Sequence, residues 1–177
     1  MSDLPSQSYN LARLGNAGDV VAFVADADQR AAIAQWSQVM ALDRFKAQVA
    51  LRKAGADRFT LDFTLIVDVV QACVVTLEPV PAHLERRFTR ELHFTGHIRR
   101  KLPPESQGEV VLDSDLDEGP EEIDSLHYDL VGPVLEEYVL ALEPYPRCPG
   151  VEFEPPADGM PAKESPFAAL KGLKSGL

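Results

Sequence analysis

The spacing of hydrophobic positions changes along the chain, and the changes mark its elements. In QRAAIAQWSQVMAL, Ile33, Trp36, Val39 and Met40 recur at helical spacing. Asp26 or Asp28 stands ahead of this run as an N-cap, so the pattern predicts a helix from about 28 to 40. Upstream, SYNLARLGNAGDVVAFV holds a short extended segment and a glycine-marked turn. From Arg44 the alternation becomes strand-like: Phe45, Ala47, Val49 and Leu51 alternate with Arg44, Lys46, Gln48 and Arg52. Beyond Gly55, Phe59, Leu61, Phe63, Leu65, Val67 and Val69 alternate with Arg58, Thr60, Asp62 and Thr64. Two half-buried strands around a glycine-containing turn predict an antiparallel hairpin. From Ile66 onward the second strand is apolar on both faces, as in a strand passing under cover.

Pro79 and Pro81 are expected to end or bend that strand. A further strand is predicted over 83–95, with Leu84, Phe88, Leu92 and Phe94 inward and His83, Glu85, Arg87, Glu91 and His93 on its other side. Asp129 can cap a helix from Leu130 to about Leu142, with Pro133 in or just after its first turn. Its buried stripe is read as Leu130, Val131, Val134, Leu135, Val139 and Leu142, with Glu136 and Glu137 outside and Pro144 and Pro146 as the stop. Residues 143–164 carry six prolines and read as an extended linker. Beyond it, Ser165 can cap a short helix with Pro166 at its first position and Phe167, Leu170 and Leu173 on one face. A helix that short is unstable alone, so these three residues are expected to dock, on the chain's own domain or on a partner. The fold class that emerges is α+β. Residues 1–146 form one domain, a curved antiparallel sheet or partly open β-barrel of four to six strands with two packed helices. Residues 147–177 are the proline-rich linker and C-terminal docking helix.

Composition narrows the function classes. The 177 residues suit one domain with a real core. Seventeen basic against 28 acidic residues argue against a protein that coats nucleic acid non-specifically, while leaving room for a local basic face. No apolar run approaches the roughly 20 residues of a membrane span, so no membrane partner is expected. MSDLPSQSYN has neither a basic n-region nor an apolar h-region, and two cysteines give no disulfide framework; both point to the reducing cytoplasm.

No catalytic constellation stands out. Cys73, in VVQACVVTLE, is the obvious nucleophile, yet no helix N-terminus or basic neighbour is in view to lower its pKa. It reads as an inert, packed thiol. His93 and His97 would chelate on a helix, where the spacing is roughly 6 Å. On a strand it is about 13 Å, too far for one ion. No metal and no cofactor is expected. Charge is more informative. LERRFTRELHFTGHIRRK, 84–101, interleaves Arg86, Arg87, Arg90, Arg99, Arg100 and Lys101 with Phe88 and Phe94, and strand parity sends Arg87 to the opposite side from Arg86 and Arg90. From Leu102 to Pro146 there are thirteen acidic residues and no Lys or Arg. One reading makes Arg86, Arg90, Arg99, Arg100 and Lys101 a small RNA-contacting face beside an acidic arm. The other pairs these cations with the abundant carboxylates.

Three stretches carry a family resemblance. VVQACVVTLEPVPAH, YDLVGPVLEEYVLALEPYPRC and SPFAALKGLK, in this order and spacing, resemble the YceD family of large ribosomal RNA subunit accumulation proteins in its alphaproteobacterial form. The resemblance covers roughly residues 9–174. It implies a cytoplasmic, non-enzymatic ribosome-biogenesis factor needed for accumulation of large-subunit (23S) ribosomal RNA. Its partner would be that RNA or a pre-ribosomal particle. An escort that holds a basic ribosomal protein through the acidic 109–124 segment is the alternative. Many relatives carry C-x-x-C in the first block, a possible zinc site; here the block reads Val70-Gln71-Ala72-Cys73 and the second keeps only Cys148, so metal binding does not carry over.

Overall fold

The computed structural model describes residues 4–96 and 119–152. Its centre is the predicted hairpin. β3 (Ala41–Lys53) and β4 (Arg58–Ala72) pair antiparallel, Val49 opposite Phe63 and Phe45 opposite Val67. Their alternation buries Phe45, Ala47, Val49 and Leu51 beside Phe59, Leu61, Phe63, Leu65, Val67 and Val69 on one face. A register shift between Leu42 and Arg44 leaves Asp43 as an extra residue, so Leu42 and Phe45 both reach the core despite odd spacing.

β2 (Asp19–Val24) flanks β3, and β5 (Pro79–Phe94) flanks β4 along its whole length. β6 (Glu121–Ile123) adds to β5 in parallel at Leu92–Phe94, completing the order β2-β3-β4-β5-β6. The sheet is open and mostly antiparallel, not closed into a barrel. A second, two-stranded ribbon pairs β1 (Ser8–Asn10) with β7 (His127–Asp129).

Pro79 and Pro81 begin β5 rather than end β4 cleanly, standing opposite Ala72 and Val70. The N–H of Phe94 bonds to Asp57 and that of Thr95 to Ile123, so odd-numbered N–H groups of β5 point away from β4. The two prolines therefore lack a donor only on the outer side, where no strand is paired among the described residues.

Both helices pack on the buried face. α1 (Ala27–Ser37) opens with a capping box: Asp26 accepts from the Gln29 N–H and the Gln29 side chain accepts from the Asp26 N–H. It ends at Ser37, short of the expected 40, because Gln38 turns left-handed at φ 58°. Ile33 and Ala34 face the core; Trp36 is 46% exposed and Met40 lies beyond the helix. α2 (Gly132–Ala141) contributes Val134, Leu135 and Tyr138. Tyr138, not the expected Val139, completes the stripe; its ring meets Phe45 edge-on at 5.4 Å and its hydroxyl lies 3.1 Å from Ser37 Oγ. α2 starts at Gly132 rather than at the expected Leu130, with Val131 as N-cap, so Asp129 stands three residues ahead of it, accepting at Oδ1 from Val131 N–H at 3.1 Å and from Gln7 N–H at 2.8 Å. It thereby ties the ribbon to the entrance of α2. The cover expected over Ile66 and Val70 is absent among the described residues; both are half-buried on a face shared with Asp62 and Asp68.

Candidate interaction face and thiol corner

Parity along β5 fixes what each arginine can reach. Arg86, Phe88 and Arg90 project to the side on which α2 packs. There Arg90 Nη2 lies 2.9 Å from Glu136 Oε2 and Arg86 Nε lies 4.0 Å from Glu137 Oε1. Between them Phe88 stacks on Phe63, ring centroids 4.6 Å apart. Both guanidinium side chains stay partly exposed, at 49% for Arg86 and 39% for Arg90. Arg87 projects to the opposite face and pairs with Glu85, as strand parity requires.

Beside these pairs a surface cavity of about 620 Å³ opens under the edge of β5, lined by Phe88, Arg90, Glu91, Pro120, Glu121 and Glu137 among others. Arg90 is the only cation among its described lining residues. Glu121 of this lining accepts at Oε2 from the Tyr128 hydroxyl at 3.3 Å; burial, then the Glu121 charge, pushes the phenol well above its ordinary range. Arg99, Arg100 and Lys101, with Phe167, Leu170 and Leu173, lie outside the described residues. The structure thus places two of the five arginine-row residues together and gives each a glutamate of α2.

The opposite face is laced by Arg44, Asp68 and His83 and by Arg52, Asp62 and Thr89. The Asp68 carboxyl is held below the usual range, first by its bond from His83 and further by Arg44.

Cys73 is fully buried, as its apolar surroundings suggest, but it is not a bare packed thiol. It opens the turn between β4 and β5, where Leu77 N–H bonds back to its carbonyl and Leu77 sits at φ 63°. The Thr76 N–H points at Cys73 Sγ from 3.5 Å and the Cys148 N–H from 3.4 Å. Bonds from the Thr76 hydroxyl, then from these backbone donors, bring the Cys73 thiol down to about 6. The expected burial of Cys73 holds; what differs is that hydrogen-bond donors do reach its sulfur. Its lowering groups are a turn residue and a neighbour 75 positions away, not a basic side chain. The first residues of the proline-rich stretch also lie against this corner: Val74 N–H bonds to Pro146 O and Gln71 Nε2 to Glu143 O, each at 2.9 Å. Among the described residues no three His, Cys, Asp or Glu gather as a metal site.

The model of the YceD family, described as large ribosomal RNA subunit accumulation protein YceD, matches residues 61–174, more than half of the chain. The chain belongs to the YceD family. The matched span begins inside β4 and takes in β5, α2, both cysteines and the whole arginine row, so the candidate face lies within the family region. The family description places the chain's role in the accumulation of large-subunit ribosomal RNA. No curated protein and no solved structure matches the chain.

Sequence reasoning missed Glu136 and Glu137 as arginine partners and Thr76 as a thiol donor. For the glutamates no signal exists along the chain, since which helix crosses β5 is a tertiary fact. For Thr76 there is one: a hydroxyl residue three positions after Cys73, just ahead of Pro79, marks a turn that folds back on the thiol.

Proposed function

We propose that this YceD-family chain supports large-subunit ribosomal RNA accumulation by binding rather than by chemistry, holding a basic protein of the assembling subunit against the face where α2 crosses β5. One observation carries this reading. Arg86 and Arg90 are already matched by Glu137 and Glu136, while Glu91 and Glu121 add two further carboxylates at the adjoining cavity. Among the described residues the balance at that surface is negative, in keeping with the formal net charge of −11. Lys and Arg side chains of a partner would meet complementary potential there. The acidic 109–124 stretch extends the same charge, and Phe167, Leu170 and Leu173 would add an apolar contact from the C-terminal segment 147–177.

A second reading makes Arg86, Arg90, Arg99, Arg100 and Lys101 a contact for ribosomal RNA or a pre-ribosomal particle. The part-exposed guanidiniums on either side of Phe88 favour it, because a phosphate can replace a carboxylate as partner of an exposed arginine. Capture with the full-length chain from a cytoplasmic extract separates the two. A basic large-subunit protein identified by mass spectrometry, retained after RNase digestion and released by salt, supports the escort reading. Loss of all large-subunit components on RNase treatment, together with loss of RNA binding when the five cations are changed to Glu, transfers the function to RNA contact.

A further inference from the structure

The chain's two cysteines both carry free thiols and stand in one corner. Cys148 N–H points at Cys73 Sγ from 3.4 Å, and Thr76 touches both, its N–H 3.5 Å from Cys73 Sγ and its hydroxyl 3.9 Å from Cys148 Sγ. The Cα of Cys148 is one bond of about 1.46 Å beyond that nitrogen, so the Cys148 side chain starts beside Cys73 Sγ, the proximity a disulfide requires. The bonds Val74 to Pro146 and Gln71 to Glu143 hold the two segments in register before any sulfur–sulfur bond exists.

We infer that Cys73 and Cys148 are a dithiol that closes to an intrachain disulfide in the presence of a low-molecular-weight disulfide, fastening the segment after α2 to the β4–β5 corner. This goes beyond the binding reading and does not depend on it. The differing exposure of the two thiols sets the order of events. Cys148 is partly exposed and meets the oxidant; Cys73 is sealed. The Cys148 thiolate attacks one sulfur of the small disulfide, whose S–S bond breaks, and one small thiol leaves with the proton that Cys148 gave up. The Cys73 thiolate then attacks the Cys148 sulfur, the protein S–S bond forms, and the second small thiol leaves with the proton from Cys73. Two protein thiols and one small disulfide become one protein disulfide and two small thiols. Cys73, with its pKa near 6, is mostly thiolate at neutral pH and suits the second step. Burial pushes the Cys148 thiol up, so the first step is the slow one.

Closure links positions 75 apart, which restricts the unfolded chain and favours the folded one. It also fixes the C-terminal end of α2, the helix whose glutamates hold Arg86 and Arg90.

The test uses the full-length protein incubated with oxidised glutathione at neutral pH, quenched with acid, and examined by intact mass and non-reducing peptide mapping. The expected result is loss of both free thiols without retained glutathione, a Cys73–Cys148 linked peptide, and a thermal midpoint raised by several degrees that dithiothreitol reverses. Cys148→Ser should leave Cys73 unmodified, and Cys73→Ser should stop at a stable glutathione adduct on Cys148. Any one of four outcomes overturns the proposal: persistent free thiols, a stable adduct on Cys148 in the wild-type chain, an intermolecular dimer, or modification of Cys73 in the Cys148→Ser chain.

Discussion

Cys73 shows how a local apolar sequence can hide a polar environment. Its neighbours along the strand are Val and Ala, and burial alone would raise its pKa. Hydrogen-bond donors from the Thr76 side chain and from the Thr76, Cys148 and Val75 backbones outweigh that, because a thiolate gains more from them than a thiol does. The thiol is an acid whose folded pKa, about 6, lies below the ordinary value of 9.0. Its contribution to stability is therefore full above about 9 and is lost as pH falls through about 6. Thr76 is the leading cause. Thr76→Val, made in a Cys148→Ser background, should move the thiolate titration midpoint upward, as followed by ultraviolet thiolate absorbance. A midpoint that stays near 6 would assign the whole effect to the backbone donors.

At the level of elements, the period-two runs of β3 and β4 are legible because each places an apolar face against one core, and β5 because Leu84, Phe88, Leu92 and Phe94 keep the period although Arg86 and Arg90 share their side. What failed did so for stated reasons. The helical spacing of Trp36, Val39 and Met40 ignored Gln38, whose left-handed turn ends α1 and leaves Val39 to pack from outside the helix. Val139 fits the stripe by spacing, four positions after Leu135, yet it is 40% exposed and Tyr138 is buried in its place. Tyr138 falls a helical turn beyond Val134 and Leu135, and its hydroxyl finds Ser37, 101 positions away. The β1–β7 ribbon and β6 are three residues per strand, too short to show a period, and the ribbon joins chain positions more than a hundred apart. The side of β5 on which each arginine lies was readable; the helix waiting there was not. Asp129 is the residue that couples these unreadable parts. Asp129→Ala strands the N–H groups of Gln7 and Val131, and a loss of about 1–3 kcal/mol is expected from urea unfolding. Asp129→Asn, which keeps one carbonyl oxygen, should recover part of it. Equal losses in the two variants would show that the charge, and not the acceptor, secures the entrance of α2.

On the scale of the whole molecule, the sheet separates two kinds of charge. Its open face carries the pairs Arg44 with Asp68, Arg52 with Asp62 and Arg87 with Glu85. Its helix-bearing face is where, among the described residues, cations and an excess of carboxylates meet, so the two proposed partners, a basic protein and an RNA, would respond oppositely to how firmly α2 engages Arg86 and Arg90. Exposed pairs of this kind contribute at most about 1 kcal/mol each, so they can be removed without loss of the fold. Glu136→Gln with Glu137→Gln therefore frees both guanidiniums while leaving Tyr138 and the packed stripe of α2 untouched. Under the escort reading, the double variant should weaken capture of a basic large-subunit protein by several-fold, with a shallower salt dependence. Under the RNA reading it should instead strengthen binding of large-subunit RNA, since two more cations then face phosphate and each released counterion steepens the salt slope. Filter binding and pull-down on the same preparation distinguish the signs. Unchanged affinity in both assays would remove this face from the function altogether, because no other described surface sets Arg86 and Arg90 against the carboxylates of α2.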